Sequence, residues 1–189
     1  ATWSYLDDGS NQGTAWTGLG FDDGAWKTGV GEFGYGDGDE RTVVSYGPRA
    51  NPKYTTTYFR HRFTADGVPA DLTLSLRIDD GAVAYLSGTE VARFNLPSGA
   101  VDHLTRAPDA IWGSAERLDR TFSIDPNLVR VGDNVLSVEV HQNTLGSSDL
   151  SFLGSLSGSP AGTPTPTTTP PTIPPTTVDT TTTTTTTTT

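Results

Sequence analysis

The sequence predicts an all-β protein, an antiparallel β-sandwich of jelly-roll type followed by an extended Thr/Pro tail. Three observations carry this reading. Short stretches in which apolar and polar residues alternate recur at regular spacing, Gly, Asp, Asn and Pro punctuate the intervals, and hardly a helical period is found anywhere. The organising stretch is Leu72 to Phe94. Leu72, Leu74, Leu76 and Ile78 alternate with Thr73, Ser75 and Arg77, so one face of a pleated strand is apolar and the other polar. The spacing then predicts a hairpin hinged at Asp79-Asp80-Gly81, a strand from Ala82 to Leu86, and a second turn at Ser87-Gly88.

Composition bounds what this architecture can do. The 189 residues suit one domain plus an appendage. Every Trp, Tyr and Phe lies within residues 1–157, whereas residues 158–189 are almost entirely Thr and Pro and cannot build a core. The chain therefore divides into a sandwich at 1–157 and a linker or tail at 158–189. With no Cys, disulfides and thiolate metal sites are excluded. A net charge of −10 argues against nucleic acid and anionic membranes, both polyanions, and stays compatible with Ca²⁺ and neutral glycans. No apolar run is long enough to insert in a membrane. The start at Ala1-Thr2-Trp3, without Met, suggests a processed, secreted protein at the cell surface or beyond it.

The remaining elements follow in order. Trp3 to Leu6 reads as a short strand, ended by Asp7-Asp8-Gly9-Ser10, and a loop runs on to Trp16. Phe21 to Trp26 and Gly29 to Gly36 are aromatic- and glycine-rich without a period, which reads as packed, irregular loop. Gly29, Gly31 and Gly34 match G-x-G-x-x-G in spacing, but no strand precedes them and no helix follows, so the dinucleotide reading fails. Asp37, Asp39 and Glu40 crowd acids at one point. A regular EF-hand is excluded because its sixth position would be Thr42 and its twelfth Pro48; an irregular Ca²⁺ site remains open there and at Asp22 and Asp23. Thr55 to Thr64 is a long strand with Phe59, His61 and Phe63 on one face and Tyr58, Arg60 and Arg62 on the other. Residues 98–117 form the longest candidate binding loop, with His103, Arg106 and Trp112. Leu118 to Ile124 resumes alternation, Asp125 to Leu128 makes one helical turn, and Leu136, Val138 and Val140 point inward from the next strand. His141 points outward or ends that strand, and Leu150, Phe152 and Leu156 close the sheet.

Taken together, Trp16, Phe21-Asp22-Asp23-Gly24-Ala25-Trp26, Gly29 to Gly36, Tyr58-Phe59-Arg60, Ile78-Asp79-Asp80-Gly81-Ala82-Val83-Ala84-Tyr85, Gly132-Asp133-Asn134-Val135-Leu136 and His141-Gln142 resemble secreted bacterial galactose-binding-like β-sandwich domains. Such domains are accessory modules of extracellular hydrolases and surface proteins, similar in pattern to the sugar-binding domains of family 2 glycosidases. One departure is Ser87-Gly88, where the family usually has Asn-Gly, and Ser suits a type I′ turn less naturally. The resemblance implies a structural Ca²⁺ and sugar-binding loops at one end. Asp79 and Asp80 match its acidic turn and serve either as turn formers or as contacts to a cation or sugar hydroxyl. Acid density alone points to Asp22, Asp23, Asp37 and Asp39 as metal ligands. Trp16, Trp26 and Tyr35 fall on anchoring positions, so Trp112, together with His103, is the better candidate for stacking on a pyranose ring.

No G-x-S-x-G, H-E-x-x-H, Cys or triad order is present, so the expectation is a protein that is not an enzyme. In the tail, prolines favour polyproline II, reaching roughly 90–100 Å over some 30 residues. The composition makes Thr163, Thr165, Thr167, Thr168, Thr169, Thr172, Thr176 and Thr177 acceptors for O-glycans. The functional expectation is a secreted, non-catalytic carbohydrate-binding or accessory module on a glycosylatable spacer, with a polysaccharide or glycan as partner. The alternative is a self-assembling subunit of an extracellular glycosylated filament or surface layer, with the tail as connector.

Overall fold

The structure, a computed structural model, describes residues 1–161; the expectations placed on the tail, including the O-glycan acceptors and the connector role, lie outside those residues. Eleven strands are found among the described residues: β1 (Thr2–Leu6), β2 (Lys27–Val30), β3 (Phe33–Tyr35), β4 (Thr42–Val43), β5 (Thr56–Ala65), β6 (Thr73–Asp79), β7 (Gly81–Leu86), β8 (Thr89–Phe94), β9 (Arg120–Ser123), β10 (Gly132–His141) and β11 (Leu150–Ser157). They form two stacked sheets. The front sheet runs β2-β1-β5-β10-β7-β8 and the back sheet β4-β3-β11-β6-β9. All pairs are antiparallel except β3 with β4, which is parallel.

The alternation in the sequence becomes the core. Leu74, Leu76 and Ile78 of β6 and Phe152 of β11 face Phe59 of β5 and Leu136, Val138 and Val140 of β10, all of them buried. The Phe59 and Phe152 rings stack across the two sheets at 4.2 Å between centroids. A second apolar layer lies outside the front sheet. There Trp16, buried in a 3₁₀ turn, packs on Tyr58 at 4.8 Å and Tyr85 at 5.8 Å, so residues 7–26 cover β5, β10 and β7.

Two expectations are corrected. The segment around Gly29 to Gly36 is not irregular loop but the strands β2 and β3, which lack a readable period because glycines stand where side chains would collide. A Cβ on Gly34 would lie 2.0 Å from the Leu150 carbonyl oxygen of β11. Nor is Asp79-Asp80-Gly81 a hairpin. It carries the chain from β6 in the back sheet to β7 in the front sheet. The apolar alternation on either side serves the same core from opposite sheets, which local sequence cannot tell from a hairpin. The hairpin is β7–β8, where Ser87 (φ 49°) and Gly88 (φ 94°) both take positive φ. Ser87 tolerates this conformation while hydrogen-bonding to β10: its N–H donates to the Val135 carbonyl at 2.8 Å, and its Oγ accepts from the Val135 N–H at 3.3 Å.

Candidate functional site

The crossing from β6 to β7 puts two carboxylates at one end of the sandwich, and each has a different fate. Asp80 is buried and fully used. Its Oδ1 accepts from the Ile111 N–H and its Oδ2 from the Asn143 N–H, both at 2.7 Å. It thereby joins the long β8–β9 loop to the β10–β11 loop. Asn143 Nδ2 donates to the Ala107 and Pro108 carbonyls at 2.8 and 3.0 Å, and Asn95 Nδ2 donates to the Asp109 carbonyl at 2.6 Å. The loop is thus clamped from Ala107 to Ile111, and the next residue, Trp112, stands 76% exposed. Beyond it the Gly113 N–H donates to Glu116 Oε1 at 2.8 Å.

Asp79 is as buried as Asp80, at 2% exposure, but its Oδ1 has no hydrogen-bond partner. Burial, then a hydrogen bond shared with the adjoining Asp80 carboxyl and the charges of Asp80, Asp149 and Glu116, push its pKa up to about 9. Asp79 pairs across the back sheet with Ser151, whose hydroxyl donates to Asp37 Oδ2 at 3.2 Å. Carboxylate oxygens of Asp37, Glu116 and Asp149 lie within 4.8 Å of one another. Partial burial, then Asp149, Asp39 and Glu40, raises the Asp37 pKa against the lowering effect of Ser151. Among the described residues, none of Asp37, Asp79, Asp80, Glu116 and Asp149 is in an ion pair. Lys53 comes near but donates to the Ser147 and Ser148 carbonyls, with its ammonium 4.7 Å from the Tyr35 ring centre. The Asp149 segment is fastened by Gln142, whose Nε2 donates to the Asp149 carbonyl at 2.8 Å and the Tyr35 hydroxyl at 3.1 Å.

The sequence-predicted residues therefore part company. Asp79, Asp80, Asp37 and Trp112 come to the same end of the molecule. His103 supports the loop from beneath: its carbonyl accepts from Thr56 Oγ1 at 3.0 Å and its Nδ1 is buried without a partner. Asp39 is exposed, 3.9 Å from the Arg117 guanidinium. Asp22 and Asp23 are engaged within their own segment and with β5. Asp22 closes its own turn by accepting from the Gly24 N–H at 2.9 Å. Asp23 is taken by two guanidinium groups, Arg60 and Arg62, each 3.1 Å away, so its charge is already neutralised. Burial alone would raise the Asp23 pKa, and the hydrogen bonds from Arg60 and Arg62 reverse this and hold it below the usual carboxylate range. Sequence reasoning missed Glu116, Asp149 and Asn143. Asp149 was visible only as a turn residue, and nothing in the spacing of 37, 116 and 149 announces that they meet.

No family model and no curated protein matches this chain. Solved structures do share its fold. A glycosyl hydrolase family 2 member from Bacteroides cellulosilyticus superposes with a TM-score of 0.50 at 15% identity, covering 80% of this chain and 20% of that one. A β-glucuronidase from glycoside hydrolase family 2 gives 0.48 at 18%, covering 74% and 13%. A calcium-binding mutant of Bacteroides uniformis β-glucuronidase 2 gives 0.48 at 15%, covering 80% and 17%. At such identities the likeness is one of fold. The chain spans between 13% and 20% of the length of these solved chains. The expectation that the protein is not an enzyme is withdrawn: the same fold occurs as one part of a solved glycosyl hydrolase family 2 chain, of which this chain covers 20%. A search for reaction motifs within a segment of this size does not test whether it is part of a longer enzyme.

Proposed function

We propose that this chain is a carbohydrate-binding sandwich domain of a glycoside-acting enzyme, with Trp112 as the platform on which a sugar ring stacks. The observation that carries the reading is a tryptophan 76% exposed on a loop whose preceding residues are clamped by Asp80, Asn95 and Asn143. A large aromatic surface left in water is unfavourable unless it has a use, and the apolar face of a pyranose covers an indole well. Clamping holds the platform in place before binding, which limits the entropy lost when the sugar arrives. The fold shared with glycoside hydrolases supports the substrate class by analogy alone. Secretion and the Thr/Pro spacer belong to the same proposal and are supported by composition only.

Affinity electrophoresis through gels containing neutral polysaccharides tests the reading. The wild-type protein is expected to be retarded by at least one of them and Trp112→Ala to run as in a blank gel. Equal retardation of both proteins, or none on any polysaccharide, would remove Trp112 from the function.

A further inference from the structure

The two sheets part at the end of the sandwich away from Trp112, where β6 begins. Trp3, His61 and Phe63 of the front sheet and Leu156 of the back sheet, with Leu72 and Leu136 buried behind them, line a groove of about 730 Å³ there. Its rings stand in a row. Trp3 and His61 are 5.3 Å apart between centroids, and His61 and Phe63 are stacked at 6.4 Å. Gly154 of β11 makes room for the row, since a Cβ there would come within 3.1 Å of the Trp3 indole. The chain itself arrives at the mouth of this groove. The Ser159 carbonyl accepts from the Ala70 N–H at 2.8 Å, its N–H donates to Asp71 Oδ1 and its hydroxyl to Asp71 Oδ2, both at 2.9 Å. Pro160 and Ala161, the last described residues, then line the groove. The sequence that follows has two large aliphatic residues, Ile173 and Val178, and Ile173 stands between two proline pairs, in Pro170-Pro171-Thr172-Ile173-Pro174-Pro175. A plain Thr/Pro spacer has no need of an isoleucine.

We propose that this groove is the docking site for residues 170–175 of the same chain, so that the root of the spacer is turned back onto the sandwich. A proline-rich segment is extended before it binds, so it loses little entropy on entering an aromatic-lined groove. With three residues per turn in polyproline II, Pro170 and Ile173 fall on one edge and Pro171 and Pro174 on the next, a continuous apolar side to set against Trp3, His61 and Phe63. The segment carries no charge, so docking desolvates none. Residues 162–169 join Ala161 to Pro170; these eight residues reach roughly 25 Å at about 3.1 Å each, and Gly162 and Thr167-Thr168-Thr169 let them bend back. The tether makes docking intramolecular, at an effective concentration in the millimolar range, so a weak contact suffices. The groove and Trp112 lie at opposite ends of β6, and the inference does not rest on the sugar reading.

Labelling the isoleucine δ1-methyls of the full chain tests this. The chain has four, Ile78, Ile111, Ile124 and Ile173, and Ile173→Val identifies the signal sought by its loss. In the wild-type protein that methyl is expected to be shifted by ring currents and to show NOEs to Trp3 and Phe63. Val68→Asp, at the groove on an exposed loop, should return it to its position in a free peptide of residues 168–178. Ile173→Asp, which is no part of the sandwich core, should uncover the groove and raise the fluorescence of the dye ANS several-fold. A wild-type methyl already at the free-peptide position overturns the proposal, as does equal dye binding by wild type and Ile173→Asp. NOEs that appear only between differently labelled copies in a mixed sample overturn docking within one chain and give the groove to the segment of a second copy.

Discussion

Arg60 lies on the face of β5 turned away from the core between the sheets, yet it is 1% exposed. It is closed in by Phe21, whose ring centre lies 5.2 Å from the guanidinium carbon, and by Asp23 at 3.1 Å. A buried guanidinium is tolerable only while its partner stays charged. Asp23→Ala is therefore expected to destabilise the fold by about 3–5 kcal/mol in urea unfolding, whereas Asp119→Ala, which removes a half-exposed partner of Arg77, should cost about 1 kcal/mol or less. The pH dependence has a definite sign. The folded pKa of Asp23 is depressed, so its contribution is present above the unfolded value of roughly 3.9 and is lost as the pH falls through the folded value. A stability profile that Asp23→Asn leaves unaltered below about pH 4 would contradict this. The sequence showed the acids but not their partners: Asp23 and Arg60 are 37 residues apart, and adjacent carboxylates look the same whether they await a cation or already have two.

The connection from β6 to β7 shows the same limit among elements. Its strands were legible because a two-residue period needs no knowledge of the partner strand. Which sheet each strand joins depends on pairing with β11 and β10, fifty or more residues further on, and that is invisible locally. Turn-forming Asp and Gly are equally at home in a hairpin and in a crossover between sheets. Trp112 was legible as a platform because a lone tryptophan in a polar loop stands out, while the clamp beneath it was not. That clamp is testable. Asp80→Ala removes the acceptor from the Ile111 and Asn143 amides, and hydrogen bonds to a charged group are worth about 1.5–3 kcal/mol each. Amide exchange at Ile111 and Asn143 is expected to accelerate well beyond that of the β10 core amides. Uniform acceleration across the whole chain would mean that Asp80 acts on global stability and not on the loop.

At the scale of the molecule, the sandwich has one core between its sheets and a second apolar layer against the outside of the front sheet, and its tryptophans distinguish the two surfaces. Trp16 lies outside both sheets, as Trp112 does, but it is 1% exposed and rests on Tyr58, Tyr85 and Trp26. If the covering segment 7–26 folds as part of one cooperative unit, Trp16→Ala should be as damaging as a core truncation such as Phe152→Ala, about 3–5 kcal/mol in each case. Trp112→Ala removes a side chain of the same size from an exposed loop and should stay within about 0.5 kcal/mol. Urea titrations of the three variants decide the matter, because a cooperative loss shifts the midpoint and keeps the slope, which reports surface exposed on unfolding. Should Trp16→Ala unfold at the wild-type midpoint with a shallower slope, segment 7–26 would be a separately melting cover. Arg60 would then owe its burial to a layer that opens while the sandwich between the sheets remains intact.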